Sequence, residues 1–402
     1  MRSVYVTGMG IISALGIGVT ENRSALLAMQ SGISHSSHLN SLLKDKLPAA
    51  EIKEDTATLH NLLRYPGQLF PNRLVSMAAL AMEEALGETA YQPGMGKMGF
   101  INATSVGGMA DVEDHYTELV DPSKSEAAIN LLGDTLDCGH CTEELARHFH
   151  LARFIGTVST ACSSSANALM YGARLIRNGV LDGAICGGAD TLTRFTLNGF
   201  NSLKNIDRNP CKPFDANRNG LNLGEGAAYL VLESEEMMYA SGRKPLAVFS
   251  GFCNYNEAFH PTSPSPEGEG AYRAMKGAIE IAQLKTSDIS YINAHGTATI
   301  NNDIAEAIAM KKLFGENMPA FSSTKCYTGH TLAAAGAIEA IFSVFNIRHN
   351  ELYPVLNFET PMPEIKLLPL TAVKEHTSIE HVLSNSFGFG GNNASLLFSK
   401  YA

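Results

Sequence analysis

Val158-Ser-Thr-Ala-Cys162-Ser-Ser-Ser-Ala-Asn-Ala-Leu-Met170 is the stretch around which the chain is organised. A short strand-like run, Phe154 to Val158, leads into it and breaks at small residues. Beyond it, Ala166, Leu169, Met170 and Ala173 fall at helical spacing. Asn178-Gly179 then supplies a stop, because glycine accepts the left-handed C-terminal conformation. This pattern puts Cys162 at a strand-to-helix turn, on the first turn of a helix. Free amides and the positive end of the helix dipole favour a thiolate there. An unperturbed cysteine, with a pKa of about 8.5, is only slightly ionised at neutral pH, so such a placement suits a nucleophile. A small buried cysteine also fills tight helix–sheet contacts. The local sequence leaves both readings open.

The chain of 402 residues exceeds what one simple core usually serves, so two domains or one duplicated architecture is expected. Apolar residues make up 45% and charged residues 17%, enough for a large core. A formal net charge of −10 argues against a general nucleic-acid binder, though not against a local basic patch. No apolar run approaches the ~20 residues of a membrane span. Val4-Tyr5-Val6 reads as a first strand rather than part of a signal peptide. Seven cysteines, an odd number without a signal, indicate free thiols and a cytoplasmic location.

Gly8-Met9-Gly10 has the start of a dinucleotide fingerprint, but Ser13 replaces its third glycine; a plain tight turn is expected. Leu74 to Leu86 is an amphipathic helix closing at Gly87. Cys138-Gly-His-Cys141 has the spacing of a redox or zinc motif. It lacks both a preceding apolar strand and a second C-x-x-C, so two small side chains packed on a helix are expected. Strand and helix patterns alternate to Ser241, pause at Gly242-Arg-Lys-Pro245 and restart at Leu246. That alternation argues for an α/β architecture with sheets covered by helices.

Three downstream segments each place polar residues beside glycine at a strand end. They are Tyr291-Ile-Asn-Ala-His295-Gly-Thr-Ala-Thr299, Phe321-Ser-Ser-Thr-Lys325-Cys-Tyr-Thr-Gly-His330, and Ser384-Asn-Ser-Phe-Gly-Phe389-Gly-Gly-Asn-Asn-Ala394. In α/β sheets such loops gather into sites. Together with the Cys162 stretch they resemble the β-ketoacyl-acyl carrier protein synthases of the KAS I/II type, elongating condensing enzymes of the thiolase superfamily. The resemblance covers nearly the whole chain.

It implies a thiolase-like fold of two similar halves in five layers, α-β-α-β-α. Residues 1–242 would carry the nucleophile, and 243–402 the two histidines and the glycine-rich turn. The implied reaction is decarboxylative Claisen condensation of an acyl-Cys162 enzyme with malonyl-acyl carrier protein. By the same resemblance, His295 and His330 stabilise the thioester enolate, and Lys325 and Glu339 form a supporting charge pair. The amides of Cys162 and Phe389 form the oxyanion hole, and Phe389 also gates the acyl pocket. Thr262, Thr297 and Thr299 fall where pantetheine is bound, and Val106 and Phe200 near the acyl-pocket wall. Lys204, Arg73 and Arg64 are candidates for docking acidic acyl carrier protein. No metal or other cofactor is implied, since the pantetheine arm arrives on the carrier, and a homodimer is expected.

Asn392 and Ile300 stand where the family commonly has Thr and Pro. They leave open a housekeeping fatty-acid role or a specialised one, such as aryl-polyene or flexirubin-type assembly. The rival reading is a non-catalytic chain-length-factor-like subunit, but such subunits usually lose the cysteine that Cys162 retains.

Overall fold

The computed structural model describes residues 2–64, 69, 72–87, 96–121, 123, 126–151 and 153–401. Its strands are β1 (Tyr5–Ser13), β2 (Gly16–Ile17), β3 (Met98–Ala103), β4 (Ile155–Val158), β5 (Gly183–Asp190), β6 (Gly226–Glu233), β7 (Ala247–Asn256), β8 (Tyr291–Asn293), β9 (Ala320–Ser322), β10 (His381–Gly388) and β11 (Asn392–Ser399). They hydrogen-bond in the order β4-β3-β5-β6-β1-β7-β11-β10-β8-β9, with β2 a hairpin on β1. The centre of this path is thin: β1 meets β7 only through Tyr5↔Val248 and Val6↔Ala247.

The order repeats. From each outer edge inward, both halves run third, second, fourth, fifth and first strand of their own series. The pairings repeat too: the outer three strands are parallel, and the fourth–fifth and fifth–first pairs antiparallel. In each half a loop after the third strand leads to a long buried helix, Ser164–Arg177 after β4 and Ala335–His349 after β9.

Burial follows the pleat and defines the layers. Ala184, Cys186, Leu230 and Leu232 face inward, as do Val382, Leu396 and Phe398 of the other half. They share one core with Ala166, Leu169, Ala173, Ile338 and Ile341 of the two central helices. The alternate residues Ile185, Tyr229 and Val231 pack outward on the helix Arg73–Leu86. Leu383 and Leu397 pack outward on Met275 and Met310, from the helices Glu269–Ile281 and Ile300–Phe314. Both faces of both sheets are therefore covered, as near-continuous apolar strands require. The five-layered thiolase-like α/β fold is present. Among the described residues no helix is long and apolar enough to cross a membrane.

One expectation fails. Gly8 and Gly10 make no tight turn; they lie inside β1. A Cβ on Gly8 would stand 2.2 Å from the Ala85 carbonyl oxygen, and one on Gly10 2.1 Å from that of Ala81. The glycines are there because the helix Arg73–Leu86 lies directly on the strand.

Candidate active site

The chain leaves β4 at Val158 and turns through Ala161, whose φ of +52° is left-handed for a residue with a Cβ. Cys162 follows, then Ser163 at the cap position, and the helix begins at Ser164. Cys162 thus precedes the helix rather than lying on its first turn, and it is buried. Burial pushes its thiol up to about 11, against the pull of a hydrogen bond from the Phe389 amide and the charge of Lys325. The expected lowering does not hold: the resting form is the thiol, because desolvating a sulfur anion outweighs those groups.

His295 and His330 follow the neighbouring strands β8 and β9 and come together beyond their ends, with ring centroids 5.4 Å apart and planes at 86°. Burial holds both far below the ordinary histidine value, and the Lys325 cation lowers them further; His330 also depresses His295. Both are therefore neutral at physiological pH. Neither buried Nδ1 has a hydrogen-bond partner in the structure. Lys325 Nζ bonds to Glu339 Oε1, and both residues are fully buried. Burial raises Glu339 to about 7 against the opposing pull of Lys325.

Two cavities meet at the thiol. The first, of about 250 Å³, is lined by His295, His330, Thr262, Thr297 and Thr299, with Lys204 at its exposed rim. The second is more apolar and open, lined by Val106, Phe195, Leu203 and Leu332. Cys162, Phe200 and Phe389 line both. The two rings are stacked, with centroids 5.3 Å apart and 19° between planes, so they stand at the passage from one cavity to the other.

Two proposed docking residues are elsewhere. Arg73 is not a surface cation: it pairs with buried Glu225 at 2.5 Å and donates to the Ile52 and Glu54 carbonyls at 2.9 Å. Glu225 needs that cation because it sits in the core, so Arg73 belongs to the scaffold. Arg64 is exposed, but it lies at the other end of the helix Arg73–Leu86. There its amide meets Glu83 and its guanidinium the Gly87 carbonyl, and it lines neither cavity. Lys204 alone of the three reaches the cavity mouth. Cys141 is buried, its thiol raised to about 12 by burial, and among the described residues no His, Cys, Asp and Glu group could hold a metal. Both cysteines lie on the helix Cys138–His148, where Cys141 packs into the core and Cys138 stays half-buried.

The sequence reading missed the buried carboxylates that hold these loops. Glu306 accepts the His295 and Gly296 amides, both at 2.8 Å. Asp303 accepts the Phe214 amide at 2.7 Å and the Ala298 amide at 3.1 Å. Asp190 accepts from Thr104 Oγ1 at 2.6 Å, the Ser105 amide at 2.9 Å and the Ala333 amide at 2.8 Å. His330 itself is strapped to the buried segment before β6: its amide donates to the Asn222 carbonyl at 2.7 Å, and its carbonyl accepts from Gly224 at 2.9 Å. A signal was available for two of them. Asp303 and Glu306 stand three apart, on the same helix stripe as Met310.

A family model described as "Beta-ketoacyl synthase, N-terminal domain" matches residues 1–237, and one described as "Beta-ketoacyl synthase, C-terminal domain" matches residues 246–359. The chain is 34% identical to 3-oxoacyl-[acyl-carrier-protein] synthase 2 of Rhizobium meliloti (strain 1021), covering 100% of this chain and 99% of that one. Among solved structures, the ishigamide ketosynthase/chain length factor superposes with a TM-score of 0.90 at 28% identity, covering 100% of both chains. A ketosynthase (ApeO) in complex with its chain length factor (ApeC), from Xenorhabdus doucetiae, superposes with a TM-score of 0.85 at 31% identity, covering 100% of this chain and 98% of that one.

Proposed function

This chain belongs to the β-ketoacyl synthase family, and from that premise we propose that it elongates acyl carrier protein thioesters by decarboxylative condensation with malonyl-acyl carrier protein. The observation that carries this reading is the meeting of Cys162, His295 and His330 where a threonine-lined cavity joins an apolar one. The threonine side fits a pantetheine arm, and the apolar side an acyl tail.

The Cys162 sulfur attacks the incoming thioester carbonyl. Its proton leaves with the pantetheine sulfur, and the acyl group stays on the enzyme. The amides of Cys162 and Phe389 steady the oxygen of the tetrahedral intermediate. Malonyl thioester then enters, and its carbon–carbon bond to the carboxylate breaks as carbon dioxide departs. The electron pair moves into the thioester enolate. Neutral His295 and His330 each carry one ring N–H to donate to the enolate oxygen. The enolate carbon attacks the acyl-Cys162 carbonyl, and the sulfur leaves with the new 3-oxoacyl thioester released. A buried site protects the carbanion from water.

The test is a single turnover with acyl- and malonyl-carrier protein, read as 3-oxoacyl product and carbon dioxide in equal amounts. Folded protein that takes up no acyl group and gives neither product, across a panel of acyl donors, would overturn elongation and favour a chain-length-factor-like role. For the partner, Lys204→Glu should raise KM for carrier-protein substrates about tenfold and leave KM for short thioester mimics unchanged. Equal effects on both would remove Lys204 from docking.

We further propose a homodimer. Among the described residues β4 ends the sheet with its outer edge unpaired, and Ile155 on it is 43% exposed. Free edges of this kind are normally covered. Phe195 and Leu203, on the open side of the apolar cavity, are 59% and 46% exposed. Both features support a second copy.

A further inference from the structure

The nucleophile turn and the glycine-rich turn come from opposite halves of the chain, yet Cys162 and Phe389 line the same two cavities, and the Phe389 N–H lies close enough to draw the Cys162 thiol down. The glycine-rich turn is intrinsically soft: Gly390 and Gly391 have φ of +81° and +78°. Its far side is held to the loop that follows β7, by Gly390 donating to the Pro261 carbonyl at 2.7 Å and Glu257 to the Gly391 carbonyl at 3.0 Å. On its near side one side chain gathers three donors. Asn392 Oδ1 accepts from Ser163 Oγ at 2.7 Å, Asn167 Nδ2 at 2.8 Å and Asn254 Nδ2 at 2.6 Å.

The donors are themselves tied together. Asn254 Nδ2 also donates to Asn167 Oδ1 at 2.9 Å, and Asn167 Nδ2 to Thr160 Oγ1 at 2.9 Å. The cluster therefore joins the residues on either side of Cys162, the end of β7 and the first residue of β11. Space is tight there: a Cβ on Gly388 would lie 3.0 Å from the Thr160 oxygen and 3.3 Å from the Cys162 amide nitrogen. A linked polar cluster of this kind selects one arrangement of the loops it joins.

We infer that Asn392 is a positioning residue, whose amide oxygen gathers donors from the nucleophile turn and β7 and so aims the Phe389 N–H at the Cys162 sulfur and at the oxyanion formed there. The inference rests on the proposed reaction for its oxyanion, but not for its geometry. The other charged or titratable groups facing Cys162 are Lys325, Asp190 and the two neutral histidines, and none touches Asn392.

The test compares Asn392→Ala, Asn392→Thr and Asn254→Ala with wild type. The probes are iodoacetamide at fixed pH 8, an acyl-pantetheine thioester, and thermal melting. Loss of the aimed N–H should slow alkylation of Cys162 about tenfold in Asn392→Ala, and acylation by at least about tenfold. Asn392→Thr keeps an acceptor oxygen and should recover most of both rates. A purely structural role predicts the opposite sign, since a loosened turn exposes the thiol and speeds alkylation. A lower melting temperature with alkylation unchanged or faster would overturn the inference. Should Asn392→Ala fail to fold, Asn254→Ala removes one donor and must slow both reactions in the same direction; unchanged rates there would also overturn it. Slowed alkylation in a protein that accepts no acyl group would keep the positioning role and reject the proposed reaction.

Discussion

Cys162→Ala is expected to accept no acyl group from any carrier-protein thioester, while melting within a few degrees of wild type. Among the described residues the substitution removes the only sulfur on which both cavities open, and a buried Cys-to-Ala change leaves only a small void. Intact mass after incubation with acyl donors is the measurement: a single added acyl mass on wild type, none on the variant. Acylation of the variant would move the nucleophile elsewhere. The same cysteine carries a pH prediction. Its thiol is pushed up to about 11, so alkylation of wild type by iodoacetamide should keep rising with pH toward that value. A plateau near neutral pH would show a resting thiolate. On the proposed reaction the thiol would therefore lose its proton as the thioester arrives.

Lys325→Met should cost about 3 kcal/mol of stability, the usual scale when a buried pair loses one partner. Glu339 is left behind with its second oxygen already lacking a partner. Even beside Lys325 its carboxyl is raised to about 7; without the cation it rises further and folds as the neutral acid. The sign follows. The folded variant binds a proton that the unfolded chain, with an ordinary glutamate, gives up. Its stability therefore falls as pH rises above the unfolded value, and the deficit against wild type should be larger at pH 8 than at pH 6. Urea unfolding at the two pH values reads this. His295 and His330 lose a cation that lowers them, so their ring resonances should titrate at higher pH than in wild type. Equal stability at both pH values, with unmoved histidines, would deny Lys325 its electrostatic role.

Much of this was legible in the sequence. The strand-glycine-polar signature found the loops bearing Cys162, His295, Lys325, His330 and Phe389, because turns at strand ends need particular residue types. The helix Arg73–Leu86 and its Gly87 stop were read nearly to the residue, since amphipathic period and cap agree. Arg73 was misread because nothing local marks a cation whose partner, Glu225, comes from the far side of the same half. Gly8 and Gly10 were misread for a related reason. Turn and close contact both call for glycine, and only the helix lying on β1 separates them. The Cys162 thiol was misjudged because a helix start is visible in sequence, whereas desolvation is a property of everything packed around it.

The repeated strand order has a consequence for how chemistry is shared between the halves. Cys162 follows the third strand of one series, and Lys325 and His330 follow the third strand of the other, each just ahead of its long central helix. The two helix starts touch: a Cβ on Gly336 would lie 2.8 Å from that of Ala166, and the Ala337 amide donates to Ser165 Oγ at 2.9 Å. Equivalent corners of two copies of one frame have thus been brought face to face and given different work. On the proposed reaction, one copy would hold the electrophile and the other tame the carbanion. Neither copy contains a reaction centre by itself, so the chain is in effect a tethered heterodimer whose reacting partners can never dissociate.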